Sequence, residues 1–120
     1  MTALAAAGRA PMRTIDALTA KRVKFVVLDV DGVLTDGGIF LGDVDGRRLE
    51  FKKYDIQDGL GILMLRRAGI KVGIITGRVS ESVALRAAEL KVDELVQDEQ
   101  ARKLPALRRI CHRLGIGLED

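Results

Sequence analysis

Two kinds of hydrophobic pattern alternate along the chain: short continuous apolar runs, and longer stretches with apolar residues every three or four positions. Lys24–Asp29 is a compact run, Lys-Phe-Val-Val-Leu, that ends on a carboxylate. Continuous hydrophobicity predicts a strand covered on both faces, and this run reads as the central strand. Lys71–Ile75 repeats the pattern and leads into Thr76-Gly77-Arg78, and Glu94–Gln97 forms a third, shorter run. Helical spacing appears after Asp58, which reads as an N-cap, with Ile62, Leu63, Leu65 and Ala68 inward and Gly69 as the stop. It recurs after Ser80, a second cap, with Val83, Ala84, Ala87, Ala88 and Leu90 inward. A last helix spans Lys103 to Leu114; Pro105 is tolerated in its first turn and Gly115 ends it. Near the start, Thr14–Arg22 predicts a short helix with Ile15, Leu18 and Ala17 on one side, and residues 1–12 read as a loose tail.

Between the first strand and the first long helix the pattern changes. Asp36-Gly37-Gly38 breaks the chain, Ile39–Leu41 is a short strand, and Gly42–Gly46 has the composition of a turn. Leu49 and Phe51 then alternate with charged residues, which predicts a β-hairpin half exposed to water. Strands alternating with helices imply βαβ units, a parallel sheet and right-handed crossovers. The expected fold is a Rossmann-like α/β sheet with flanking helices and a hairpin inserted after the first strand. Residues 1–20 form a tail and short helix, and residues 21–120 form one domain.

Composition narrows the function classes. The chain is 48% hydrophobic but only 3% aromatic, so its core is aliphatic. A net charge of +3 is dispersed along the chain, and Arg66-Arg67 and Arg108-Arg109 fall on helices as solvated faces. With one Tyr, three Phe and no Trp there is little for bases to stack on, so nucleic acid is set aside as a partner. The single Cys111 excludes an internal disulfide framework and fits a reducing compartment. No stretch reaches the roughly 20 apolar residues of a membrane span, and the expected location is the cytoplasm.

Chemistry concentrates at the ends of the two long apolar strands, where open α/β sheets place their sites. Asp29-Val30-Asp31-Gly32 sets two carboxylates one residue apart at a strand exit, a costly arrangement unless a cation compensates the charge. Mg²⁺ suits it, because it prefers oxygen ligands and keeps waters and phosphate oxygens in its shell. Gly32 lets backbone N–H groups approach an anion. A lone Asp-x-Asp is often no more than a turn. Its combination with an apolar strand, a following Gly and a second strand ending in Thr-Gly-Arg is far less common by chance.

Asp29–Thr35 resembles the first motif of the haloacid-dehalogenase superfamily, and Ile74–Arg78 resembles its second. Val30, Thr35-Asp36-Gly37, the hairpin and Gln57–Gly61 are similar to one branch, the small capless 3-deoxy-D-manno-octulosonate 8-phosphate phosphatases and their sialic-acid-pathway relatives. The match runs from about Lys21 to Gly115. It implies a Mg²⁺-dependent phosphatase for a small phosphorylated sugar acid, with Asp29 as nucleophile and Asp31 as acid and base. Metal would be held by Asp29 and Asp31, the latter through its backbone carbonyl. Thr76, with amides around Gly32 and Gly77, would bind phosphoryl oxygens, and Lys103 falls where the family places its third-motif lysine. For Lys103 the competing reading is an exposed lysine at a helix start. Arg78 would clamp a substrate carboxylate, or else make a structural salt bridge. Asp58 reads as a cap rather than a ligand, and Cys111 and His112 as helix surface and partial core.

The resemblance also implies homotetramers in which a neighbouring subunit closes the site. It further implies a strand beyond the last helix, ending in a Gly-Asp-Asp-type acidic motif that supplies a third metal ligand. The chain ends at Leu118-Glu119-Asp120, where that strand would begin. A C-terminally truncated domain is therefore expected, with a free edge on the Asp29 strand. Two alternatives follow: an accessory member of the fold without activity, and a two-component receiver domain. Spacing of the acids by Val30 argues against the receiver.

Overall fold

The computed structural model describes Pro11 and residues 13–120. Most of the expected N-terminal tail thus lies outside the described residues. The elements are α1 (Ala17–Arg22), β1 (Phe25–Leu28), β2 (Thr35–Val44), β3 (Arg47–Tyr54), α2 (Ile56–Arg67), β4 (Lys71–Thr76), α3 (Glu81–Leu90), β5 (Glu94–Gln97) and α4 (Lys103–Leu114). Among the described residues β1, β4 and β5 form a parallel sheet in the order β1-β4-β5, while β2 and β3 form a separate antiparallel hairpin.

The continuous apolar runs do what such runs imply: each face of the sheet is covered by its own cluster. Val30, Leu34, Ile74, Val83 and Ala87 pack together on one face, joined by Leu28, Tyr54, Val92 and Leu95. Ile75, Ala106 and Ile110 pack on the other, with Phe25, Val27, Val96, Leu107 and Leu114. Adjacent residues of β4, Ile74 and Ile75, thus belong to opposite layers, as the two-residue period of a strand requires. α3 and Tyr54 of the hairpin cover the first face, and α4 covers the second.

Several expectations need correction. β4 is the central strand, buried from Val72 to Thr76, whereas all four residues of β1 are only half-buried. β1 carries β4 on one side and no strand on the other among the described residues, which is the free edge expected of the Asp29 strand. The cap of α2 is Asp55, whose Oδ1 accepts from the backbone N–H of Gln57 at 2.8 Å; Asp58 lies inside the first turn. Ser80 does precede α3, but its hydroxyl makes no capping bond and its own N–H donates to Gln97 Oε1 at 2.7 Å. Of the residues assigned to inner helix faces, Ile62, Val83 and Ala87 are buried, while Leu63, Ala68, Ala84 and Ala88 are exposed. The short helices of this small domain bury one narrow stripe each. α1 begins at Ala17, and Ile15 and Leu18 remain exposed.

The hairpin is longer than its sequence signal. β2 runs through Gly42 to Val44, and only Asp45-Gly46 turns, both with positive φ (52° and 75°). That pair of angles is the type I′ geometry whose twist matches a two-residue hairpin.

Candidate active site

The Asp29–Leu34 segment is tied into a knot around one carbonyl. Val30 O accepts from the N–H groups of Val33, Leu34 and Thr35 at 3.1, 2.9 and 3.2 Å. Val30 and Leu34 are inserted into the core, which anchors the loop. The residues flanking Val30, Asp29 and Asp31, are therefore turned toward the mouth of the sheet, with side chains 38% and 31% exposed. Thr35 Oγ1 accepts from the N–H groups of Gly32 and Gly37 at 3.3 and 3.1 Å and stitches the loop to the start of the hairpin. Gly32 has φ +77°, a left-handed conformation that glycine adopts without the strain a side chain would bring.

Thr76 ends β4 at the same level. The register pairs Leu28 with Ile74, so two steps further the chain brings Val30 alongside Thr76. Thr76 is buried, and its Oγ1 accepts from the Arg78 N–H at 3.4 Å. Gly77 follows in close contact with the next loop: a Cβ there would stand 3.2 Å from Ala101 Cβ. Asp98 N–H donates to Thr76 O at 3.0 Å, and Asp98 itself is held by Gln100 N–H and by Arg102 Nε at 2.9 Å each. The Arg102 hydrogen bond, then that of Gln100, keeps the Asp98 carboxyl below its ordinary range. This loop launches α4, and the first helical residue is Lys103.

Lys103 Nζ lies 3.0 Å from Asp29 Oδ2. The lysine that sequence alone left between function and surface thus meets the first acid. Asp29 Oδ1 accepts from the Val30 N–H at 2.7 Å. The second acid meets a residue that sequence reading passed over: Lys52 Nζ sits 2.5 Å from Asp31 Oδ1, and the Lys52 side chain has no solvent exposure. Lys52 also lies 3.4 Å from Glu50 Oε1, and Glu50 Oε2 accepts from Arg78 Nη2 at 3.0 Å. Burial by itself would raise the Glu50 carboxyl; the hydrogen bond and charge of Arg78, helped by Lys52, outweigh it and hold the group below its usual value. Arg78, expected to clamp a ligand, is engaged with Glu50.

Lys52 and Glu50 were missed because Leu49 and Phe51 looked like the inward face of β3. The structure reverses this. Glu50, Lys52 and Tyr54 point toward the sheet, while Phe40, Val44 and Phe51 are 73%, 55% and 61% exposed. The available signal was the regular spacing Glu50, Lys52, Tyr54 on alternate positions of one strand.

Asp29, Asp31 and Glu50 carry three negative charges, against four positive ones on Lys52, Arg78, Lys103 and Arg48, the last 3.8 Å from Glu50, so the cluster falls short of neutralising a dianion. A phosphoryl dianion entering it needs further positive charge. Two carboxylates open to solvent at a strand mouth fit the sparse protein coordination that Mg²⁺ adopts, one or two carboxylates with water and phosphate. No group of three or more His, Cys, Asp or Glu side chains converges on a metal position among the described residues. Asp120 is not a substitute ligand, since it pairs with Lys24 at 3.0 Å, at the opposite end of β1 from Asp29 and roughly 16 Å of strand away. A cleft of about 660 Å³ opens on the far side of the Glu50–Arg78 pair, lined by Glu50, Tyr54, Gly77, Arg78, Ser80 and Arg86 among others but not by Asp29, Asp31 or Thr76. Cys111 is buried and His112 exposed on α4, in line with the sequence reading.

Comparison with known proteins places this geometry in a class. No family model matches the chain. A crystal structure of 3-deoxy-D-manno-octulosonate 8-phosphate phosphatase from Moraxella catarrhalis, in complex with magnesium ion, phosphate ion and KDO, superimposes with a TM-score of 0.76 at 40% identity, over 85% of this chain and 56% of that one. A structure described as a HAD superfamily (subfamily III A) hydrolase from Legionella pneumophila gives 0.74 at 33% identity, over 85% of this chain and 54% of that one. Over most of its own length the chain is thus similar to phosphatases and hydrolases of the haloacid-dehalogenase superfamily. Within it, the curated relatives are 3-deoxy-D-manno-octulosonate 8-phosphate phosphatases KdsC. The protein from Salmonella typhi is 37% identical over 110 residues, 92% of this chain and 56% of the relative. That from Escherichia coli K12 is 39% identical over 101 residues, 84% and 52%. The chain spans about half the length of the curated relatives it matches.

Proposed function

We propose that this chain carries the nucleophile half of a Mg²⁺-dependent phosphatase that hydrolyses a small phosphorylated sugar acid of the KDO 8-phosphate type through an aspartyl-phosphate. The observation that carries the reading is the pairing of each acid with its own ammonium, Asp29 with Lys103 and Asp31 with Lys52, at the strand mouth beside Thr76. Homology to KdsC proteins supports the substrate class.

In the first step an Asp29 oxygen attacks phosphorus, the bond from phosphorus to the sugar oxygen breaks, and Asp31 gives its proton to that oxygen. In the second, water attacks the phosphorus of the acyl phosphate and passes its proton to Asp31, which frees phosphate and restores the Asp29 carboxylate. Thr76 Oγ1, the amides of Gly32 and Gly77, and Lys103 Nζ bind the non-bridging oxygens throughout. The Asp29 carboxylate and the Asp31 backbone carbonyl would hold Mg²⁺, which would supply charge that screens an anionic nucleophile from an anionic substrate. Arg78 reaches a substrate carboxylate by exchanging its partner Glu50 for it, and the cleft beyond Gly77 seats the sugar.

The test is phosphate release from KDO 8-phosphate by the protein as its gene encodes it. Turnover is expected with Mg²⁺ and is expected to vanish on chelation and return on re-addition; absence of turnover with Mg²⁺ present overturns the reading. Assembly belongs to the same proposal. The cross-strand pair Phe40 and Phe51 leaves a large apolar patch on the outer hairpin face, which suits burial against another copy. Light scattering is expected to return the mass of a homotetramer, and a monomeric mass refutes it.

A further inference from the structure

We infer that Lys52 is a positioning residue for the phosphatase step: it clamps one oxygen of Asp31 so that the other faces the leaving group. The inference rests on the proposed function, in which Asp31 is the acid.

The hairpin delivers an ammonium to a place with no access to water. Burying a lysine is costly, and a buried ion pair stabilises a fold little more than an apolar pair of the same shape. The hairpin could have packed here with a Met or Leu, so fold stability is a poor account of this residue. Its geometry offers a better one. Lys52 Nζ contacts Asp31 Oδ1 alone of the two oxygens, and among the described residues no other donor reaches the Asp31 carboxylate. Oδ2 is left open. The ammonium is itself steadied by Glu50, and Glu50 by Arg78 and by Arg48 at 3.8 Å. The loop backbone is fixed around the Val30 carbonyl, but the Asp31 side chain is held by Lys52, and without that contact its carboxylate would sample several rotamers. Misplacement of a reacting group by about 1 Å can cost on the order of 100-fold in rate.

A clamp on the acid has a signature that general loosening of the site lacks. An alkoxide leaving group needs the proton from Asp31, whereas p-nitrophenolate departs without it. Lys52→Met and Lys52→Arg are assayed with KDO 8-phosphate and with p-nitrophenyl phosphate, alongside thermal melting. The Met variant is expected to lose about 100-fold in kcat on the sugar phosphate and no more than about 10-fold on p-nitrophenyl phosphate. The Arg variant is expected to recover part of the sugar-phosphate loss. Equal losses on both substrates, or no loss on either, overturn the inference while leaving the phosphatase reading intact. A wild-type protein inactive on both overturns both. If the Met variant does not fold, the ratio of the two losses in the Arg variant decides in the same way.

Discussion

Asp29→Asn is expected to abolish Mg²⁺-dependent phosphate release, with a loss on the order of 10⁴-fold or more, as for removal of the nucleophile in other covalent mechanisms. The substitution is nearly isosteric and keeps an oxygen for the Val30 N–H, so the loop around the Val30 carbonyl stays closed. Lys103 loses an ionic partner, but that pair is about 40% exposed on both sides, and screening makes its share of stability small, below about 1 kcal/mol. Melting is therefore expected to be nearly unchanged while chemistry stops. Acid quenching during turnover is expected to trap phosphate on the wild-type protein and none on the variant. A variant that retains turnover and still traps phosphate would move the nucleophile away from Asp29.

Ile74→Ala is expected to destabilise the domain by about 2–5 kcal/mol, measured by urea unfolding. Ile74 is 1% exposed, on the central strand, and packs with Val30, Leu34, Val83 and Ala87. Truncation leaves a cavity in a layer formed by β1, α3 and the Asp29 loop, elements that cannot collapse together without moving the acids. Against a typical total of about 5–15 kcal/mol, such a loss is severe. Leu85→Ala is the control: Leu85 is 73% exposed, and a change within about 0.5 kcal/mol is expected. Equal effects at the two positions would contradict the layered core.

Much of the architecture could be read in advance because it depends on local regularities. Continuous apolar runs mark β1, β4 and β5, and spacing of three and four marks α2, α3 and α4, whose last member falls at Lys103–Leu114 as expected. The corrections share a cause. Asp55 and Asp58 are both plausible caps, and only backbone geometry chooses between them. An apolar run marks β1 as a strand but not its place in the sheet, which is set by which strands pair, a long-range matter.

The site divides the same way. Asp29, Asp31, Gly32, Thr76 and Gly77 could be nominated from sequence because each follows an apolar run that ends at a strand exit, where open α/β sheets place their sites. Lys103, Arg78, Lys52 and Glu50 were not resolved or not seen, because Lys52–Asp31, Arg78–Glu50 and Lys103–Asp29 are contacts across 21, 28 and 74 positions of sequence. The hairpin is the clearest case. Alternation along β3 separates two faces but cannot say which looks inward when one offers Leu49 and Phe51 and the other Glu50, Lys52 and Tyr54. Hydrophobicity by itself favours the first set. The fold chose the second: Tyr54 packs against the core and Lys52 meets Asp31, contacts that exist only once β3 lies over the strand mouth.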